Sequence, residues 1–156
     1  MDEGVQDMIK IREAELQDTI IIARFNQAMA METENKQLEE DTIQSGVARM
    51  ITDNDLGFYL VALFDDEIAG CLAITREWSD WRNSLFWWIQ SVYVAQEFRS
   101  KGVFSSLYQY VSDLAKNEED VCGIRLYADK ENERAIRTYL RLGMVETDYR
   151  VLEEEF

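Results

Sequence analysis

Histidine is absent from the 156-residue chain. Its absence excludes histidine metal ligands, Ser-His-Asp and Cys-His nucleophile systems, and histidine general bases. Cysteine is scarce: Cys71 and Cys122 have no CxxC spacing, so they predict neither a disulfide framework nor a zinc site. Free cysteines of this kind are typical of a reducing cytosol. We therefore expect a cytoplasmic protein without a metal ion.

Basic residues are also scarce, because 16 Lys and Arg face 31 Asp and Glu and leave a net charge of −15. Such a negative field repels polyphosphate backbones, so nucleic acid is not expected as a partner. No stretch approaches the ~18 apolar residues of a membrane span, and residues 1–7 lack the apolar segment of a signal peptide. We expect no membrane association, an acidic flexible tail at residues 1–7 and another at residues 153–156.

Apolar residues are plentiful, at 47% of the chain, and the length suits one domain, which we place at residues 8–152. Apolar alternation predicts strands at Met8–Arg12, Phe58–Phe64, Ile68–Thr75, Leu85–Val94, Cys122–Ala128 and Met144–Leu152. Helical spacing predicts helices at Leu16–Met31, Leu38–Thr52, from Gly102 to Ala115, and at Glu133–Leu142, with connections at Glu32–Lys36 and Trp78–Asn83. This order predicts an α/β (α+β) fold with a mixed, mostly antiparallel sheet.

One strand-to-helix turn carries chemistry: Arg99-Ser100-Lys101-Gly102-Val103-Phe104. A helix N-terminus offers unpaired N–H groups and partial positive charge, which suit a phosphate. Gly102 lets a ligand approach the backbone closely, and Arg99 and Lys101 add donors. The turn is neither a Walker A loop nor a GxGxxG turn. Taken alone, such a turn is more often an ordinary connection.

A second block, Asn132-x-x-Ala135-x-x-x-Tyr139-x-x-x-Gly143-Met144, follows thirty residues after Gly102. Together with Val92-Tyr93-Val94 and Arg99-x-x-Gly102 it resembles the GNAT superfamily of N-acetyltransferases, from Met8 to about Leu152. The resemblance implies a GNAT-like sheet of six to seven strands, about four helices and a splayed parallel central strand pair. It also implies acetyl-CoA as co-substrate, a small primary amine (amino-acid-like or polyamine-like) as acceptor, and a homodimer.

The resemblance also implies roles for particular residues. The main chain of Val92, Tyr93 and Val94 would pair with the pantetheine, and the N–H groups of Arg99, Ser100, Lys101, Gly102, Val103 and Phe104 would hold the pyrophosphate. Phe104 replaces the usual Gly or Ala, so its ring must turn into the core. Asn132 would contact CoA or simply cap its helix. Tyr139 would protonate the departing thiolate, or else is a packed aromatic.

The general base is left open. Many relatives carry an acid near the end of the central strand, where this chain has Gln90 and Ser91. The alternatives are Glu77, Asp80, Glu32, Glu34 or a water relay, each acid being otherwise an ordinary surface residue. Those acids favour a cationic amine as acceptor. Two other functions remain open: a GNAT-like domain that binds acyl-CoA as a sensor or interaction module without turnover, and an unrelated fold with a nucleotide at Gly102.

Overall fold

The computed structural model describes residues 8–156, so the predicted tail at residues 1–7 lies outside the described residues. The strands are β1 (Ile9–Glu13), β2 (Phe58–Phe64), β3 (Glu67–Ser79), β4 (Ser84–Val94) and β5 (Val121–Arg125). The α-helices are α1 (Thr19–Glu34), α2 (Glu40–Thr52), α3 (Val103–Lys116) and α4 (Glu133–Arg141). Short 3₁₀ turns at Leu16–Asp18 and Gln96–Phe98 precede α1 and α3.

Two compact units divide the chain. The first is Met1–Leu126, which includes all five strands and the first three helices, and the second is Tyr127–Phe156, which includes α4. The strands of the first unit lie in chain order across a single sheet. Pairing is antiparallel from β1 to β4 and parallel between β4 and β5. The mixed α/β fold and its four helices are therefore confirmed.

The prediction of six to seven strands is wrong, because the sheet formed by residues 8–156 has five. Residues 144–152 alternate apolar and polar side chains, as a strand does, yet they join no ladder. Val145 and Tyr149 are 80% and 79% exposed, so the alternation covers no buried face. A period of two predicts a strand only where a neighbouring strand supplies hydrogen bonds.

Several boundaries also differ from the predictions, three of them near the site. β3 runs on to Ser79, so the connection predicted from Trp78 begins two residues later, and β5 ends at Arg125 rather than Ala128. The connection predicted at Glu32–Lys36 is wrong in its first half, because α1 continues to Glu34. Asn35 then ends the helix in the left-handed conformation, φ +50°, which asparagine tolerates.

The sheet of the first unit is buried on both faces. Val61 and Leu72 are both fully buried yet point to opposite faces, because Val61 pairs with Cys71 and Leu72 with Leu60. The helices α1 and α3 contribute buried side chains to this core, such as Ile22 and Leu107. The β2–β3 hairpin is closed by Asp65 and Asp66, both at positive φ, as in a type I′ turn. No helix within residues 8–156 is long and apolar enough to cross a membrane.

Candidate active site

The two parallel strands of the sheet pair over only a short length. The β4–β5 ladder runs from Leu85↔Val121 to Trp88↔Arg125, whereas β4 itself continues to Val94. Beyond Trp88, no strand of residues 8–156 pairs with this edge of β4. The resemblance predicts that these strands part, and pairing ends at this point. The open edge of β4, Ile89–Val94, spans about 20 Å.

A β-bulge lies near the middle of the open edge. The register passes from Ala73↔Gln90 to Cys71↔Tyr93, so two β4 residues oppose one residue of β3. One of the two, Ser91, has φ +51°, which is unusual for a residue with a side chain. Bulges bend a strand and turn its main chain. The bulge therefore sets the direction in which the last residues of β4 leave the sheet.

Main-chain hydrogen bonds decide which groups face the open edge. The Ala95 N–H donates to the Ala69 carbonyl oxygen at 2.8 Å, and the adjoining pair in the ladder is Gly70↔Val94. In an antiparallel pair such bonds alternate, so the Val94 N–H and C=O point away from β3. Val92 lies inside the bulge, where this alternation is interrupted, so its expected pairing with the pantetheine stays a prediction. The Tyr93 main chain instead faces β3, so we correct its expected role as a pantetheine partner.

The turn after β4 leads directly into α3. Ser100 and Gly102 have φ values of +63° and +83°, and Gly102 is the N-cap of α3 without a side chain to cap it. The Ser106 N–H bonds the Gly102 carbonyl at 3.0 Å, so the helix begins here and its first N–H groups lack intrahelical partners. A Cβ added to Gly102 would meet no protein atom within 4 Å. This open space before a helix N-terminus suits a phosphate group.

The cationic side chains of the turn contact the protein itself. The Arg99 Nε donates to the Val94 carbonyl oxygen at 2.9 Å, and its Nη2 donates to Glu32 Oε2 at 2.9 Å. The Lys101 ammonium lies 5.2 Å from the centre of the Phe64 ring. Two of the five guanidinium N–H groups of Arg99 are used in this way, and the Lys101 ring contact uses no hydrogen-bond donor. The prediction that both cations add phosphate donors therefore stays a prediction, beside the backbone N–H groups.

Phe104 occupies the position at which the resemblance expects Gly or Ala. Its side chain is half-buried, and its ring centre lies 6.3 Å from that of Tyr108, four residues along the same helix face. Val103 and Leu107 beside it are buried. The ring therefore lies on the packed side of α3. This orientation is required if the Phe104 N–H is to bind the pyrophosphate.

Glu32, one of the candidate bases, accepts three hydrogen bonds. Besides Arg99, Tyr93 Oη donates to Oε1 at 3.0 Å and Gln96 Nε2 donates to Oε1 at 3.4 Å. The Arg99 hydrogen bond is the main cause that lowers the pKa of Glu32. A carboxylate held by donors in this way is a weak proton acceptor.

Glu77, a second candidate base, lies where β4 and β5 part. Its Oε1 accepts from Arg125 Nη1 at 2.7 Å and its Oε2 from Trp88 Nε1 at 3.2 Å. The Arg125 guanidinium also lies 3.6 Å from the Phe86 ring centre. Glu77, Trp88 and Arg125 come from three adjacent strands and share one face of the sheet.

The remaining candidates near β4 are ordinary in their contacts. Asp80 accepts from the Trp81 N–H in the β3–β4 turn at 2.9 Å, and Glu34 is exposed at the end of α1. Gln90, which stands where relatives carry an acid, donates from Nε2 to Thr75 Oγ1 at 2.6 Å. No member of this set is poised as a base by its surroundings, so a water relay gains weight.

Two predicted site residues belong to the second unit. The Asn132 side chain accepts from the Ala135 N–H at 3.3 Å and is the N-cap of α4, which is the simple role considered for it. Tyr139 lies inside α4, and burial raises the pKa of its hydroxyl. A raised pKa keeps that hydroxyl protonated at neutral pH, as a proton donor requires.

Metal ligands and thiols are two further kinds of candidate reacting group in the part of the chain that the structure describes. Within residues 8–156, no three His, Cys, Asp or Glu side chains come together as metal ligands would. Burial raises the pKa of Cys71 to about 12, so its thiol is not a nucleophile. Cys122 is exposed on β5, with its Sγ 3.3 Å from the Leu85 carbonyl oxygen.

Sequence reasoning missed the contact between Glu32 and Arg99 and the contribution of Arg125 and Trp88. Glu32 had no readable signal, because the sequence predicts it in a connection rather than in the last turn of a helix. Arg125 had none, because its partner Glu77 lies 48 residues away on another strand. The bulge at Ser91 was signalled by the polar pair Gln90-Ser91 inside the most apolar strand.

Comparison with known proteins agrees with this geometry. The model of the Acetyltransferase (GNAT) family matches residues 21–144. The structure of a possible acetyltransferase from Clostridium difficile 630 is 44% identical, with a TM-score of 0.89, covering 96% of this chain and 98% of that one.

Two further structures share the fold at lower identity. A transcriptional regulator from Bacillus halodurans C-125 is 23% identical (TM-score 0.79, covering 95% and 99% of the two chains). A predicted acetyltransferase from Clostridium acetobutylicum, solved with acetyl-CoA, is 18% identical (TM-score 0.75, covering 94% and 96%). No match is found among curated proteins.

Proposed function

Since the chain belongs to the Acetyltransferase (GNAT) family, we propose that it transfers an acetyl group from acetyl-CoA directly to a primary amine of a small molecule. The acceptor class is amino-acid-like or polyamine-like. The net charge of −15 supports a cationic acceptor, because a negative field concentrates ammonium ions around the protein.

One observation carries the proposal. The β4–β5 ladder stops at Trp88↔Arg125, and the edge of β4 beyond it ends in the outward N–H and C=O of Val94. A few residues later α3 begins at Gly102 with uncapped N–H groups. A ligand with amides at one end and a pyrophosphate at the other fits this sequence of groups, and acetyl-CoA is such a ligand.

The reaction joins the amine nitrogen to the thioester carbonyl carbon and breaks the carbon–sulfur bond. An ammonium acceptor loses one proton to become the neutral nucleophile and a second proton as the amide forms. The departing sulfur gains one proton, and the other passes to solvent. We assign the proton gained by sulfur to the Tyr139 hydroxyl, because the resemblance implies this role and the hydroxyl, whose pKa burial raises, is protonated at neutral pH. Direct transfer is supported by the inert Cys71 thiol.

A water relay is our assignment for the proton lost by the amine. Glu32 and Glu77 already accept hydrogen bonds from arginine, and the Arg99 hydrogen bond lowers the pKa of Glu32. Gln90, held by Thr75, has no basic group. Water reaches a half-buried site without a dedicated side chain, at the cost of a lower rate at neutral pH.

Ligand-dependent thermal stability and thiol release test the proposal together. Acetyl-CoA should raise the unfolding temperature, and ATP or NAD should not. Release of free CoA, measured with a thiol reagent, should require one member of a panel of amino acids and polyamines. Stabilisation by ATP or NAD alone would contradict the proposal and favour a nucleotide at Gly102.

A second candidate is a domain that binds acyl-CoA as a sensor or interaction module without turnover. Gln90 and Ser91 at the position of the usual acid favour it. Stabilisation by acetyl-CoA with no CoA release across the whole amine panel would establish this second function instead. The homodimer stays a prediction, which light scattering would contradict if only an 18.3 kDa species were present.

A further inference from the structure

The last turn of α1 carries charge of the wrong sign for its position. Glu32 and Glu34 lie at the carboxyl end of the helix, and no basic residue lies in that turn. The helix dipole is negative at this end and favours cations. An acid here destabilises the helix unless a partner from elsewhere offsets it. For Glu32 that partner is Arg99, 67 residues further along the chain.

All three donors to the Glu32 carboxylate come from the end of β4 and the turn after it. They are Tyr93, Gln96 and Arg99, at 3.0, 3.4 and 2.9 Å. The Tyr93 ring is further held by Phe25 of α1, with ring centres 5.3 Å apart. The end of α1 is thus attached to the segment that leads to the candidate phosphate site.

Arg99 extends this attachment to the open edge of β4. Its Nη2 binds Glu32 while its Nε binds the Val94 carbonyl oxygen, and the guanidinium lies 5.4 Å from the Tyr93 ring centre. The planar guanidinium makes both bonds at once, whereas lysine has a single nitrogen and cannot reproduce the geometry. Glu32 therefore fixes Arg99, and Arg99 fixes the Val94 carbonyl and the start of the turn.

We propose that Glu32 is a positioning residue of the acetyl-CoA site, which holds Arg99 across the exit of β4 so that the Val94 main chain and the Gly102 turn are preformed for the ligand. This role rests on the proposed function, because acetyl-CoA is the ligand. In this positioning role Glu32 contacts no reacting atom, so we withdraw it from the candidate bases.

Two accounts of Glu32 predict opposite changes in acetyl-CoA affinity when its charge is removed. The first account considers electrostatic repulsion alone. Loss of a carboxylate near a polyanion's site, with release of Arg99 toward the phosphates, would tighten binding. Positioning predicts weaker binding, because groups that are not preformed must be ordered when the ligand associates. The direction of the change in acetyl-CoA affinity therefore separates the two accounts.

The experiment is calorimetric titration of the full chain with acetyl-CoA. Glu32→Gln and Arg99→Lys should each raise the Kd about three- to tenfold, the scale of one hydrogen bond or two. The Kd of the double variant should be no higher than the higher Kd of the two single variants, because both substitutions remove the same link. With an active amine, Glu32→Gln should raise the KM for acetyl-CoA and leave kcat within twofold.

Asp18→Asn is the matched control. It breaks the ion pair between Arg12 and Asp18 at the opposite end of α1, about 20 Å away along the helix. This control should lower the unfolding temperature more than Glu32→Gln does and still bind acetyl-CoA with the parental Kd. A role of Glu32 in stability alone would give the reverse pattern.

The outcomes separate this inference from the function on which it rests. Parental or tighter acetyl-CoA binding by Glu32→Gln overturns the positioning role alone, as do strictly additive effects of the two single variants. A parent chain that binds no acetyl-CoA overturns the proposed function and the positioning role together. Weaker binding by Glu32→Gln, with parental binding by Asp18→Asn, supports both.

Discussion

Arg99 and Val94 are joined by a hydrogen bond from the guanidinium Nε to the main-chain carbonyl oxygen, at 2.9 Å. A carbonyl oxygen has two lone pairs and can accept a second donor. The Val94 carbonyl is therefore oriented by Arg99 and still open to an amide N–H arriving along the edge of β4. An arginine that the sequence assigns to phosphate binding thus also orders the strand end beside the phosphate turn.

The turn itself can be tested at Gly102. Its φ of +83° is tolerated by Asn and Asp, and a Cβ there meets no protein atom within 4 Å. Both Gly102→Asn and Gly102→Asp should fold, and both should weaken acetyl-CoA binding because a side chain enters the phosphate space. Gly102→Asp should raise the Kd for acetyl-CoA by a further tenfold or more, since its negative charge repels the phosphates. Calorimetric titration measures both.

Gly46→Ala is the control for the glycine substitutions. Gly46 lies inside α2 with no atom within 4 Å of an added Cβ, so alanine should stabilise the chain by about 0.5–1 kcal/mol. Its acetyl-CoA affinity should equal that of the parent. Parental affinity in a folded Gly102→Asp variant would remove the pyrophosphate from this turn.

The strand–turn–helix arrangement around Gly102 could be predicted from the sequence because its signals are local. Apolar alternation, a glycine and an amphipathic helix follow one another within a few residues. The pairing of Glu32 with Arg99 could not be predicted, since exposed charges offer many partners and only the fold selects one. Residues 144–152 show the same limit for strands. Their alternation can be read from the local sequence, but whether a partner strand lies beside them depends on the whole fold.

Stability at low pH should depend on Asp18. Arg12 holds its carboxylate with two bonds, at 2.7 and 3.1 Å, and the Glu15 N–H adds a third. The Arg12 hydrogen bond is the main cause that lowers the pKa of Asp18. A lowered folded pKa gives stability that is present above the unfolded value and is lost as the pH falls through the folded value.

Asp18→Asn should therefore cost about 2 kcal/mol at pH 7, less than a fully buried pair because Arg12 is one-third exposed. The difference between parent and variant should shrink as the pH falls below the unfolded pKa of about 3.9 and through the lower folded pKa. Urea unfolding at several pH values measures it. A difference that grows on acidification would contradict the pairing.

The two cysteines should differ sharply in reactivity. Cys71 is fully buried, with a pKa of about 12, whereas Cys122 is exposed. A thiol reagent should label one cysteine in the native chain and two in denaturant, and Cys122→Ser should reduce native labelling to none. Cys122→Ser should also keep acetyl transfer within twofold. Loss of transfer would indicate an acetyl-thioester on Cys122 and contradict direct transfer.

The proton given to the leaving thiolate can be tested at Tyr139. Burial raises the pKa of this hydroxyl, so it is protonated throughout the neutral range and able to donate. Tyr139→Phe keeps the ring and deletes only the hydroxyl. Turnover should therefore fall by ~10²–10⁴-fold, toward the lower end because a coenzyme thiol is a good leaving group, while acetyl-CoA affinity stays parental. The matched control, Tyr149→Phe, alters a tyrosine that is 79% exposed and should change neither quantity. Turnover within twofold of the parent in Tyr139→Phe would mean that water protonates the thiolate, and weakened binding with parental turnover would make Tyr139 a residue that positions acetyl-CoA.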